Sequence, residues 1–149
     1  ELDKAGRVKV NPDLSVPGHP EVFAIGDMAL VMGEDGKPVP GVSPAAMQMG
    51  RHVARLIEDE IDLGAGRSPR PPFRYWDKGT MATIGRGAAV AQTRGGRTLK
   101  GRTAWLAWGA VHLALLSTGE DRAKAGVDWN WAGFSHERSG RISVHADKP

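Results

Sequence analysis

Val22-Phe23-Ala24-Ile25-Gly26-Asp27 and, sixteen residues beyond that aspartate, Ser43-Pro44-Ala45-Ala46-Met47-Gln48-Met49-Gly50 decide the fold class of this chain. Four consecutive apolar residues closed by Gly-Asp read as a buried strand with a turn at its C-terminal edge. Ser43 is a good N-cap, and Pro44 suits the first helical position, where its missing N–H would have no intrahelical partner anyway. Behind them Ala46, Gly50, Val53 and Ile57, with Met49 and Leu56 alongside, recur at helical spacing and predict one core-facing stripe. The helix fades in Glu58-Asp59-Glu60 and ends near Gly64. A strand feeding a helix in this way places the chain in the α/β class.

Working outward, residues 6 to 10 alternate as a short strand that Asn11-Pro12-Asp13 breaks, and Glu34 to Pro38 is a polar turn. Ser68 to Pro72 is a proline-rich connector, after which the character turns to β: Phe73 to Trp76, Thr80 to Ile84 and Ala88 to Ala91, with Gly95-Gly96 turning a hairpin into Arg97-Thr98-Leu99. Residues 104 to 116 form a helix apolar almost all round. At ~1.5 Å per residue it spans about 20 Å, short of the ~30 Å hydrocarbon core, so it buries in protein or lies in a membrane interface.

The 149 residues include no Cys, which removes thiol nucleophiles, dithiol relays and thiolate metal sites; any redox chemistry must run through a bound cofactor. The five histidines, at 19, 52, 112, 136 and 145, have no metal-ligand spacing, so no metal is expected. The first residue is Glu1, and no charged-then-apolar leader precedes the domain, which reads as a piece of a longer or processed chain. The net charge of +3 hides a polarity. Residues 1 to 63 hold six Lys/Arg against eleven Asp/Glu, and residues 64 to 103 hold nine cations, Arg67 among them, against Asp77 alone. A cationic stretch running into an apolar one suits an anionic bilayer better than nucleic acid, for which no binding motif is present, though a solvated basic face would look the same.

Three features can carry chemistry. Asp27 at a strand edge, beside a glycine that lets a ligand approach, suits sugar or ribityl hydroxyls, although a simple turn also explains the pair. The helix start at Ser43 offers unpartnered N–H groups and the positive end of the macrodipole, while Gln48, one turn in, either donates to a carbonyl or faces solvent. Asp77-Lys78-Gly79 is either a hairpin or a site where Lys78 stabilises developing negative charge. Gly85-Arg86-Gly87-Ala88-Ala89 imitates a dinucleotide fingerprint, but the glycine turn at 95 to 96 leaves no room for its helix.

The order of these features resembles the C-terminal part of type II NADH:quinone oxidoreductases, single-subunit FAD proteins on the membrane surface. The likeness rests on the first run, on Pro40 to Arg51, and on Phe73 to Arg86. More specific still are Ala104-Trp105-Leu106-Ala107-Trp108 and Val111-His112-Leu113. It implies the C-terminal part of a two-dinucleotide-binding-domain flavoprotein: residues 1–66 end the Rossmann-like FAD domain, and residues 67–149 form a small α+β quinone-site and membrane-docking region. On the same footing Gly26 and Asp27 bind FAD, Ala45 and Ala46 present backbone N–H groups to the isoalloxazine, and Gln48 and Lys78 form the catalytic pair where flavin meets quinone. Trp105, Leu106 and Trp108 would grip an anionic membrane at its cytoplasmic face, in a bacterial respiratory chain, with NADH and quinone as substrates and a homodimer among the assemblies the family allows. Ser43-Pro44 stands where the family motif often reads Ala-Gln, and residues 119 to 128 are polar and acidic where an apolar, Arg-rich helix is usual. The Gly-rich units for FAD pyrophosphate and NADH are not in the sequence, so the stretch is expected to be inactive alone. The alternatives are a disulfide-reductase relative, whose paired cysteines are not in view, and a non-catalytic peripheral membrane or interaction module.

Overall fold

The computed structural model describes residues 1–64, 66 and 69–135. Arg67 of the cationic stretch, Ser68 of the connector, and the tail from 136 with His136 and His145 lie outside the described residues. Among the described residues the architecture is mixed α/β, with three small sheets and three α-helices, and it divides into two compact units, Glu1–Asp77 and a second beginning at Lys78.

In the first unit β1 (Val8–Lys9) pairs in parallel with β4 (Ala29–Leu30), and β2 (Ser15–Val16) pairs antiparallel with β3 (His19–Phe23). The expected buried strand at Val22–Ile25 is corrected. β3 begins earlier, its first four residues are exposed, and only Phe23, Ala24 and Ile25 turn inward. A two-stranded hairpin covers one face at most, so most of β3 faces solvent while the apolar run buries only after the strand has ended.

Helix α1 (Ser43–Leu63) starts where expected, but Val42 occupies the N-cap position and no side chain caps it; Ser43 is already helical. Gly64 ends the helix at φ 90°, with its N–H on Glu60 O at 3.0 Å. Its buried line is Ala45, Met49, Val53 and Leu56, turned from the expected Ala46–Gly50–Val53–Ile57 stripe, and Ile57 is 43% exposed. Apolar residues at neighbouring positions mark a wide arc, so their spacing fixes the helix without fixing the centre of its buried face. Leu14, Ala24, Val31, Val39 and Phe73 complete the core around that line. Leu14 is fully buried at φ 72°, a left-handed conformation unusual for a branched side chain, and the loop carrying it is closed by Asp13 accepting from the Ser15 N–H (3.1 Å) and hydroxyl (2.7 Å).

Residues 69–79 contain no strand, which corrects the β expectation for Phe73–Trp76. Pro71 and Pro72 have no N–H to give a ladder, the Phe73 N–H donates to Pro12 O at 2.7 Å, and Trp76 bonds a side chain instead of a strand.

In the second unit β5 (Thr80–Gly85), β6 (Ala88–Gln92) and β7 (Thr98–Lys100) form an antiparallel meander. Arg86-Gly87 is the β5–β6 turn, and Gly85 ends β5. Helix α2 (Gly101–Leu115) lies on this sheet with Ala104 fully buried against Ala89 and Ala91, small residues that permit close approach. Helix α3 (Gly119–Ser135) opens on a Thr118–Asp121 box, in which the Thr118 hydroxyl accepts the Asp121 N–H at 3.0 Å and donates to its carboxylate at 2.7 Å. Among the described residues no helix is long and apolar enough to cross a membrane.

Candidate functional site

Gly26–Met28 forms one 3₁₀ turn directly after the apolar run. Gly26 needs φ 69°, and a Cβ there would stand 3.6 Å from Ala46 Cβ, so the turn lies close against the first turns of α1. The Gly26 N–H donates to the Met49 thioether at 3.2 Å. Sulfur is a weak acceptor, and the buried face of α1 thereby fixes the turn without a strong polar contact. Asp27 is exposed, and its carboxylate has no partner among the described residues; a Cβ on Gly41 would come within 3.4 Å of its Oδ1. Gly26, Asp27, Gly41, Ala45 and Ala46 line a cleft of ≈ 10 Å³, with Arg7 at its rim held by Asp3 at 2.8 Å. That is room for about one water. Any larger ligand lies across the mouth.

The structure thus brings Gly26, Asp27, Ala45 and Ala46 together. The backbone N–H groups of Ala45 and Ala46, however, both donate to Val42 O, at 2.9 and 3.1 Å. Pro44 has no N–H, which leaves Ser43 as the first-turn donor not engaged by the helix.

Gln48 is half-buried and pairs with the backbone of Trp76 in both directions: its Nε2 donates to Trp76 O at 3.1 Å, and its Oε1 accepts the Trp76 N–H at 3.0 Å. Beside it, burial raises the Tyr75 phenol above its ordinary value and the Asp77 charge adds to that shift. Lys78 belongs to the second unit and is exposed. Its neighbour Gly79 sits at φ 98°, where a Cβ would fall 2.2 Å from Gln92 O, so only glycine lets the chain enter β5 there.

Of the three residues expected at a membrane, Leu106 is 63% exposed and Trp105 packs against the alanine cluster. Trp108 is stacked between His112 (ring centroids 4.0 Å apart) and Trp129 (5.4 Å), the latter approaching over Gly109. Trp105, Trp108 and Trp129, with Ile84, Leu113 and Ala110, line an open groove of ≈ 970 Å³. Sequence reasoning missed Met49 as an acceptor, Arg7 at the cleft rim and Trp129 in the stack. Only Trp129 carried a signal, as the first of the aromatic residues that follow the polar opening of its helix.

Over 144 residues, 97% of this chain, the sequence is 44% identical to the type II NADH:quinone oxidoreductase Ndh of Mycobacterium tuberculosis. It is 43% identical over the same share to NdhA of that organism, also a type II NADH:quinone oxidoreductase. To the alternative NAD(P)H-ubiquinone oxidoreductase C1, chloroplastic/mitochondrial, of Arabidopsis thaliana it is 32% identical over 86% of the chain. The chain spans 29% of the length of the first two relatives and 24% of the third. No family model matches it. An α/β segment with a Gly-Asp turn laid on a helix start is thus matched along nearly its whole length by proteins named as oxidoreductases. The chain belongs to the type II NADH:quinone oxidoreductase family, as a C-terminal segment of such a protein.

Proposed function

We propose that this chain is part of an FAD-dependent NADH:quinone oxidoreductase, contributing one wall of the flavin site and the approach for the quinone. The observation that carries the reading is the likeness to relatives of that name along 97% of the chain. The residues present fit a flavin. Asp27 offers an exposed carboxylate to accept from ribityl hydroxyls, and Gly26 and Gly41 leave its surroundings clear of side chains. Ala46 supplies a small-residue surface for close approach, with Ala45 buried in the core behind it, and the Ser43 N–H at the positive end of α1 suits an electron-rich ring edge. A bound FAD, which Gly26, Asp27 and the Ser43 N–H would hold, would supply the two-electron redox chemistry between NADH and quinone. The chain's own residues bind, orient and exclude water, while the Lys78 ammonium stabilises negative charge that develops on the quinone oxygen.

This reading includes docking at the cytoplasmic face of a bacterial membrane. Ile84 (75% exposed), Leu106 (63%) and Trp131 (67%) provide apolar contact, and the cations of residues 86 to 102 supply attraction to anionic headgroups. Leu106→Asp should weaken sedimentation with anionic vesicles severalfold, and unchanged sedimentation would remove Leu106 from the surface.

The flavin site is tested by grafting the chain in place of the matching segment of the mycobacterial Ndh. The graft should purify yellow, and Asp27→Ala should lose most of its flavin at unchanged folding. A full flavin complement in that variant would take Asp27 out of the site.

A further inference from the structure

The segment 70–77 begins within the proline-rich stretch and has no secondary structure of its own, yet it is fastened to the rest of the first unit at three points. Arg70 donates from Nε to Glu60 Oε1 at 2.7 Å and from Nη1 to Pro20 O at 2.7 Å, with its guanidinium 5.3 Å over the Phe23 ring. The Phe73 side chain is buried in the core, and its N–H holds Pro12 O. The third point is the Gln48–Trp76 pair. A carboxamide is chemically a peptide group, so a glutamine that both donates to and accepts from one residue closes the ring that a neighbouring strand residue would close. Trp76 is 61% exposed, and the amide pair engages its backbone N–H and C=O directly.

We infer that Gln48 is a positioning residue. Its side chain stands in for a strand and fixes the backbone of Trp76, near the end of the first unit, and it does not offer both of its polar groups to a ligand. One Nε2 hydrogen is left over, so a quinone carbonyl could meet it only with the pair intact. The consequence for turnover rests on the function proposed above, but the contact itself does not.

Hydrogen exchange at the Trp76 amide reads the pair directly in the full chain, with Val53 in α1 and Val90 in β6 as references for folding. Gln48→Leu should speed Trp76 exchange about tenfold or more, as two lost hydrogen bonds imply, with the references unchanged. Gln48→Glu keeps the acceptor but opposes a carboxylate to Trp76 O. Its protection, corrected for the intrinsic rate, should be low at neutral pH and recover as the carboxyl protonates near pH of about 4 and regains an O–H donor. That reversible recovery supports the inference even where the leucine variant fails to fold. Unchanged Trp76 protection in the folded leucine variant, or protection independent of pH in the glutamate variant, overturns it. In the grafted enzyme Gln48→Leu should lower kcat at least fivefold with the quinone KM within twofold, whereas a raised KM with Trp76 still protected overturns the inference in favour of direct ligand contact. If the graft reduces no quinone, the functional reading fails while the exchange result still stands.

Discussion

Single atoms decide much at the residue scale. At Gly79 both the dihedral and the space forbid a side chain: φ is 98° and a Cβ would collide with Gln92 O at 2.2 Å. Gly79→Ala should cost about 2 kcal/mol or more of stability. Gly85→Ala, at ordinary φ with nothing within 4 Å, should stay within about 0.5 kcal/mol, and urea unfolding of the two variants checks the contrast. The sequence made Gly26-Asp27 and the helix start at 43 legible because strand ends, Pro and Gly carry their conformational meaning locally. It could not make the Val42 carbonyl legible as the acceptor for both Ala45 and Ala46. Which backbone groups a helix start engages depends on how its first turn tightens, and Ser43 looked like a cap although it lies one residue inside.

Among the elements, α1 and the β5–β7 meander were readable from periodicity and glycine turns, while 73–76 was not. Its aromatic run has strand composition, but its hydrogen bonds go to Pro12 and Gln48, distant in sequence and invisible to local pattern. The same segment begins at an ion cluster. Burial works against the Asp13 carboxylate, yet the Ser15 hydroxyl and N–H and the Arg70 guanidinium 3.3 Å away hold it below its ordinary value. A carboxyl depressed in the folded state lends stability above its unfolded pKa and loses it as pH falls through the folded one. Asp13→Asn should therefore cost about 1–2 kcal/mol at neutral pH, with the difference narrowing in acid as the parent's own carboxyl protonates. Unfolding curves across that pH range measure it, and a constant difference would take the charge out of the account.

For the whole molecule, the charge polarity read from the sequence turns before the structural division: of the nine cations of residues 64 to 103, Arg67, Arg70 and Arg74 precede Lys78. The first unit, net acidic, carries the Gly-Asp turn and α1, and the second carries the other six cations of that stretch and the apolar helix. Which of the residues expected at a membrane stay exposed was not legible, because an all-round apolar helix does not announce which of its rings another helix will cover: Trp108 lies under Trp129, and Leu106 stays open. The central claim is that these 149 residues supply a working flavin and quinone wall. It is tested most directly by the spectrum of the grafted oxidoreductase under anaerobic conditions. The account expects a flavin band that NADH bleaches and a quinone restores, with no NADH oxidation by the chain alone; a folded graft that binds no flavin, or whose reduced flavin a quinone fails to reoxidise, would contradict it.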